Sequence, residues 1–179
     1  MNAAAPWTFV AVDAATVHQR LTGEQLAQLD DLGGRSGVAQ QLNGPITTVE
    51  KLEASTHTAL VCCSICTGTA YSNDGGGRCV GFIKYGTKNL YFYRKNGQII
   101  QCSPLCLLDF YVDEAMQRSG IGLALFRQMM AVAGVPDPRA IAYDRPSPKL
   151  VAFLRKHFSL VSPDLQPNRY AIYDGFPLG

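Results

Sequence analysis

The 179-residue chain is 47% hydrophobic and only 17% charged, which excludes an intrinsically disordered protein. A chain of this length buries about 70% of its unfolded surface, so residues 1–179 are expected to form a single domain that needs neither disulfides nor a structural metal. Sixteen basic against fourteen acidic residues leave a net charge of +2, far below that of a protein held by phosphate contacts, and no apolar run reaches the roughly 18 residues of a membrane span. Neither nucleic acid nor a membrane is an expected partner. Residues 1–6 lack the basic and apolar regions of a secretory signal, which sets the expectation of a cytosolic protein.

Taken in chain order, Trp7 to Val12 reads as a first strand. Thr22 with Gln25 three residues on has the form of a capping box, so a helix is expected to start there. Gly33, Gly34 and Gly37 each weaken a helix by about 1 kcal/mol relative to alanine, and the helix is expected to bend or break before Gln40. Asn43-Gly44-Pro45 then stops it, and a loop is expected through Thr47 and Thr48. Strands follow at Ala59 to Ile65 and Cys79 to Tyr85, with the turn cluster Ser72 to Gly77 between them, and are expected to pair antiparallel. Asn89 to Arg94 and Gln98 to Cys102 form a hairpin around Asn96-Gly97, a pair suited to positive φ.

Leu105 to Val112 is nearly all apolar, the pattern of a central strand buried on both faces. Gly120 to Ala133 places Ile121, Leu125, Met129 and Val132 at helical spacing and ends at Gly134. A strand Ala140 to Tyr143, a helix opened by Ser147-Pro148 and a strand Tyr170 to Tyr173 complete the chain. The predicted class is α/β, a mixed and mostly antiparallel sheet flanked by helices.

The six cysteines include one CxxC pair, Cys63 and Cys66, but it lies within an apolar run and has no second close pair, so zinc is not expected. Cys62, Cys63, Cys66, Cys79 and Cys102 read as reduced, small core side chains. A zinc-binding adaptor remains the weakest alternative.

The segment Gln117-Arg118-Ser119-Gly120-Ile121-Gly122 lies between the apolar strand and an amphipathic helix, where glycines and a helix N-terminus can turn several N–H groups toward an anion. Leu125 stands where a dinucleotide fingerprint would place its third glycine, and no Gly-Lys-Ser/Thr ending of a nucleotide P-loop is present. An ordinary strand-to-helix turn is the plain alternative. The pattern Q-R-x-G-x-G after a strand resembles the pyrophosphate-binding motif of the GNAT acetyltransferase superfamily.

With Leu105 to Val112, Tyr143 to Leu150, Phe153 to His157, Ala39 to Leu42, Gly81 to Lys84 and Asp174-Gly175-Phe176 added, the chain from about residue 20 onward resembles the α-tubulin acetyltransferases. The resemblance implies a GNAT-like acyltransferase fold and transfer of an acetyl group from acetyl-CoA to a lysine of α-tubulin in the microtubule lumen. It places the protein in the cytoplasm on the microtubule cytoskeleton, axonemes included, with a monomer as the working expectation.

The same resemblance implies catalytic roles for Asp144, Cys106 and Gln40. Thioester aminolysis needs a neutral amine and a path for its proton, which suits a carboxylate at the end of a strand. The plainer readings are a turn aspartate, a buried thiol and a helix-end glutamine. For acetyl-CoA the resemblance implies strand-like pairing with Phe110, Tyr111 and Val112. It also implies wrapping of the pyrophosphate by Gln117, Arg118, Ser119, Gly120, Ile121, Gly122 and Leu123, and contacts from Ser147, Lys149, Leu150 and Lys156. Ile46, Lys51, Lys84 and Lys88 would border the groove that receives tubulin, and Asp109 either faces that groove or pairs structurally. A GNAT enzyme for another protein or small amine, and a microtubule-binding module with a silent acetyl-CoA site, remain the other readings.

Overall fold

The computed structural model describes residues 7–64 and 77–178. Two compact units divide them, one of residues 7–64, 77–84 and 109–129, the other of 85–108 and 130–178. Cys66 and the stretch 72–76 of the expected turn cluster lie outside the described residues.

The first unit begins with β1 (Trp7–Val12), paired antiparallel with β2 (Thr58–Ser64) from Trp7↔Ser64 to Val12↔Ala59. Between them lie α1 (Val17–Arg20), α2 (Gly23–Ala39) and α3 (Val49–Glu53). Thr22 and Gln25 form the expected reciprocal capping box at the start of α2. Contrary to the sequence expectation, α2 is continuous through its glycines. The physical reason lies in its neighbour: a Cβ on Gly33 would stand 1.8 Å from the Thr47 carbonyl oxygen, and one on Gly37 would stand 3.1 Å from that of Gly44. These glycines let the 44–47 segment lie against the helix rather than breaking it. The segment after it is not all loop, because Thr48 accepts a hydrogen bond from the Lys51 amide and opens α3.

Strand β3 (Cys79–Thr87) lies beside β2, and β6 (Leu105–Val112) lies beside β3. The close approach at Gly81, where a Cβ would meet the Tyr111 carbonyl oxygen at 2.9 Å, belongs to this pairing. Val12, Leu29, Leu32, Leu52, Val61, Phe82 and Tyr111 share one buried core. Helix α4 (Ile121–Val132) buries Ile121, Leu125, Phe126 and Met129.

The second unit holds the hairpin β4 (Leu90–Tyr93) and β5 (Ile99–Cys102), which form a separate two-stranded sheet. Of the two turn residues, Gly97 alone takes a positive φ. Strand β7 (Ala142–Asp144) runs parallel to β6, with Cys106↔Ala142 and Leu107↔Tyr143 as partners. It runs antiparallel to β9 (Tyr170–Ile172), which also pairs with the short β8 (Asp164–Leu165). The main sheet therefore has the order β1-β2-β3-β6-β7-β9-β8, mixed as expected. Helix α5 (Pro148–Phe158) starts on the Ser147 cap, its hydroxyl accepting from the Leu150 amide. No helix among the described residues is long and apolar enough to cross a membrane.

Candidate functional site

In the first unit, β6 ends in Phe110, Tyr111 and Val112, and the chain turns through 113–120 into α4. Arg118 and Gly120 both take positive φ, 63° and 92°, and the first amide of α4 to return to the helix is that of Ala124, bonded to the Gly120 carbonyl 3.0 Å away. The amides ahead of it belong to a helix N-terminus and are not needed by the helix itself. Alternating φ signs turn successive N–H groups into a concavity suited to an anion. Gln117 donates its side-chain amide to the Val112 carbonyl at 2.9 Å and Ser119 donates its hydroxyl to Met116, so the turn is tied to the strand before it. Arg118 is exposed.

The base of this turn carries an ion cluster that the sequence reading did not identify. Arg35 bonds Asp113 at 3.2 Å, Glu114 at 3.3 Å and Asp31 at 3.0 Å, and Arg78 also reaches Asp113. Burial pushes the Asp113 carboxyl up, yet the Arg35 hydrogen bond, the Ala115 amide and both guanidinium charges outweigh it and hold it below the usual range.

Asp109 is 3% exposed. Its carboxylate accepts hydrogen bonds from Ser36 Oγ at 2.8 Å, Gln40 Nε2 at 3.0 Å and Thr47 Oγ1 at 2.7 Å. Burial raises its pKa, and the three donors oppose that rise without cancelling it. Of the two readings left open for Asp109, the structural pairing is the one seen, and a buried carboxylate is not a docking surface. Gln40 is thereby anchored by its side chain rather than turned to solvent. Lys84 differs from expectation as well: it is 4% exposed, and its ammonium donates to the Ile46 carbonyl at 3.3 Å. It braces the Ile46 segment from within the buried run Phe82-Ile83-Lys84-Tyr85. Lys51 is exposed, and its ammonium contacts the Pro45 carbonyl.

In the second unit, Cys106 and Asp144 come together. Cys106 lies opposite Ala142 on parallel strands, and Asp144 is two residues further along β7, so side-chain alternation puts Ala142 and Asp144 on one face. Cys106 is fully buried, and its thiol donates to the Pro104 carbonyl at 3.5 Å. Burial pushes its pKa up to about 12, with Lys88 opposing and the Asp144 and Cys102 charges adding to the rise, so the thiol is protonated at neutral pH. The Asp144 side chain is 14% exposed and pairs with Arg145 Nε at 3.0 Å. Lys88 is half-buried, and its amide donates to the Pro104 carbonyl. Ser147, Lys149, Leu150 and Lys156 all lie on α5 or its cap, with Lys149 and Lys156 exposed.

The β6–β7 partners end at Leu107↔Tyr143 although β6 continues to Val112. Cys62, Cys63, Cys79 and Cys106 are buried and free, as small core side chains. Among the described residues no group of three or more His, Cys, Asp or Glu is placed to hold a metal ion. Tyr170, Arg145, Ser36 and Thr47 were missed in the sequence: Arg145 follows Asp144 directly, Tyr170 stands opposite it through sheet register, and Ser36 and Thr47 reach Asp109 through packing.

Comparison with known proteins follows the same lines. The family described as GNAT acetyltransferase, Mec-17 matches residues 8–178. The chain is 40% identical over 154 residues to an alpha-tubulin N-acetyltransferase of Tetrahymena thermophila, covering 86% of this chain and 36% of that protein. It is 40% identical over 148 residues to alpha-tubulin N-acetyltransferase 1 of Danio rerio, covering 83% and 48%. The Aedes aegypti protein of the same name is 36% identical over 179 residues, covering 98% and 61%. The chain thus spans 36% to 61% of the length of these relatives. Among solved structures, the AtaT toxin bound to the antitoxin AtaR C-terminus and acetyl-CoA superposes with a TM-score of 0.58 at 16% identity, over 93% of this chain and 92% of that one. An aminoglycoside N-acetyltransferase in complex with CoA gives 0.52 at 12% identity, over 92% of each. These two establish the fold.

Proposed function

From the premise that the chain belongs to the GNAT acetyltransferase family of the Mec-17 type, we propose that it transfers an acetyl group from acetyl-CoA to a lysine of α-tubulin in microtubules. The observation that carries the reading is that Cys106 and Asp144 share one face of β6 and β7. The relatives named for α-tubulin acetylation supply the substrate.

Acetyl-CoA supplies a thioester carbonyl that a neutral amine can attack. The concave backbone at 118–120 fits its pyrophosphate, with Gln117 to Leu123 as the donors and Arg118 as the cation, while β6 at Phe110 to Val112, beyond its last partner on β7, accommodates a strand-like chain. Ser147, Lys149, Leu150 and Lys156 would hold the rest of the coenzyme.

Asp144 then acts as general base: a carboxylate oxygen takes a proton from the lysine Nζ, freeing the lone pair that attacks the thioester carbonyl, and as the C–S bond breaks coenzyme A leaves as a thiol carrying the second proton lost by the nitrogen. Cys106 assists as a neutral thiol, a weak donor beside the reacting group, and the rise in its pKa argues against a thiolate nucleophile and an acetyl-cysteine. Gln40, held by Asp109, orients the incoming segment, and Ile46, Lys51 and Lys88 border it. On this reading the protein works as a monomer on cytoplasmic microtubules, axonemes included, without nucleic acid or membrane.

The test is acetylation of polymerised tubulin by wild type, Asp144→Asn and Cys106→Ala, with acetyl-CoA binding followed calorimetrically. Activity that collapses in Asp144→Asn while binding persists supports both substrate and base. A wild type that binds acetyl-CoA and leaves tubulin unmodified sinks the substrate and favours a GNAT enzyme for another amine.

A further inference from the structure

The glycine turn before α4 stands on residues 113–117. The Asp113 amide donates to the Val80 carbonyl at 2.9 Å, and the Met116 and Gln117 amides return to the Asp113 and Glu114 carbonyls at 2.8 and 3.3 Å. Asp113 Oδ1 also accepts the Ala115 amide at 3.0 Å. Beyond this foot, the next backbone amide to find a carbonyl is that of Ala124. The direction in which the 118–123 amides point is therefore set by how the foot is held.

That foot carries two adjacent carboxylates, which repel each other. Arg35 on α2 places Nη2 3.2 Å from Asp113 Oδ2 and Nη1 3.3 Å from Glu114 Oε2, so the two arms of one guanidinium bridge both. Its Cζ lies 5.9 Å from the centroid of the Tyr111 ring, within reach of a cation–π contact, and the Tyr111 hydroxyl donates to Glu114. Arg35 thereby joins α2, the end of β6 and the foot of the turn. Arg78 reaches the same Asp113 oxygen with one nitrogen, from a side chain 65% exposed against 33% for Arg35, which makes it the weaker hold.

We propose that Arg35 is a positioning residue for acetyl-CoA: by bridging Asp113 and Glu114 beside Tyr111, its guanidinium holds the foot so that the 118–123 amides are already turned toward the pyrophosphate when the coenzyme arrives. The inference rests on reading that turn as the pyrophosphate site. A site oriented in advance binds without the cost of ordering it, so the effect of Arg35 falls on coenzyme affinity. Proton transfer is assigned to Asp144, so the rate at saturating acetyl-CoA is expected to hold.

The test is the calorimetric Kd for acetyl-CoA of wild type, Arg35→Met, Arg35→Lys, Asp113→Asn and the double variant Arg35→Met with Asp113→Asn, with melting temperature and steady-state kcat and KM on polymerised tubulin beside it. Methionine keeps an apolar stem against Tyr111 and loses the charge, while asparagine keeps a cap for the Ala115 amide and loses the ion pair. Arg35→Met is expected to raise Kd and KM for acetyl-CoA about tenfold, toward the lower end of the usual coupling between two parts of a protein, with kcat unchanged. Arg35→Lys, which keeps the charge without the fork, should fall between Arg35→Met and wild type, and the double variant should lose less than the product of the two single losses. An unchanged Kd in Arg35→Met overturns the role of Arg35, and single losses that multiply in the double variant overturn its route through Asp113. A kcat that falls together with the melting temperature overturns it in favour of a general structural role. A wild type that does not bind acetyl-CoA removes the reading of the turn and this inference with it. Because Kd is read without tubulin, a wild type that binds acetyl-CoA and leaves tubulin unmodified sinks only the substrate, and the same Kd comparison still decides for or against Arg35.

Discussion

Asp109 in the first unit and Asp144 in the second are built in opposite ways. Asp109 is sealed, and its carboxylate is met by three neutral donors from Ser36, Gln40 and Thr47. Asp144 keeps some exposure and is met by the half-exposed guanidinium of Arg145. A carboxylate surrounded by neutral donors in a closed site can hold elements together but cannot exchange a proton with an outside group. One whose cation can step aside has the freedom a base requires. The contrast separates an aspartate that organises the fold from one available for chemistry.

The sharpest way to break this contrast is to neutralise each carboxylate and ask what is lost. Asp144→Asn should lower kcat on tubulin about 100- to 10,000-fold, the usual contribution of a positioned acid–base group, with its thermal midpoint close to that of wild type. Asp109→Ala should show the reverse order of damage. It strips the buried Ser36 and Thr47 hydroxyls of their acceptor, and each stranded buried group costs about 1–3 kcal/mol. The expected loss of roughly 3 kcal/mol would appear in calorimetry as a drop of about 6–12 °C. An Asp109→Ala protein that melts like wild type but has lost activity would make Asp109 a site residue after all.

How much of this could be read from the chain alone follows the same division. Features specified by neighbours in sequence were legible: the Thr22–Gln25 capping box, the Ser147-Pro148 helix start, the first strand and the glycine turn before α4. Features that depend on which segment lies against which were not. The glycines of α2 show their propensity cost in sequence, but not the Thr47 carbonyl that requires them. Lys84 looked like a surface cation because charge says nothing of strand burial, although its apolar neighbours were a signal. The register that sets Tyr170 against Asp144 needs β9 beside β7, an arrangement no local pattern encodes. Asp109, Asp144, Cys106 and Gln40 were picked out as residues through family resemblance, and their partners through packing alone.

Two adjacent glycines in α2 sharpen the account of the Asp109 side. Helix propensity alone predicts that alanine at either Gly33 or Gly34 stabilises by about 1 kcal/mol. Gly34 has open space at its Cβ position, so Gly34→Ala should deliver that gain. At Gly33 the new Cβ would collide with the Thr47 backbone, forcing away the residue that donates to Asp109. Gly33→Ala should therefore lose about 1–3 kcal/mol, the range for overpacking, with a further loss of activity if Gln40 shifts with Asp109. Chemical denaturation of the pair decides the matter by sign, and a stabilised Gly33→Ala would mean the 44–47 segment moves without cost.

The smallest expected effect is a dependence on pH, read as the stability of wild type minus that of Asp109→Asn. Burial raises the Asp109 pKa in the folded state above its ordinary value near 3.8. Between that value and the raised one, the folded chain binds a proton at this site that the unfolded chain has released. Unfolding stability then falls as pH rises through this window, by at most about 1.4 kcal/mol per pH unit, and is level above it. Wild type should thus gain on Asp109→Asn as the solution is acidified from neutrality. Asp113 and Glu114, whose carboxyls lie below their ordinary range, act with the opposite sign, losing stability as pH falls, but they are common to both proteins and cancel in the difference. Denaturant midpoints across pH 4–7 give the curve, and a difference that shrinks on acidification would show that the three donors, not burial, dominate at Asp109.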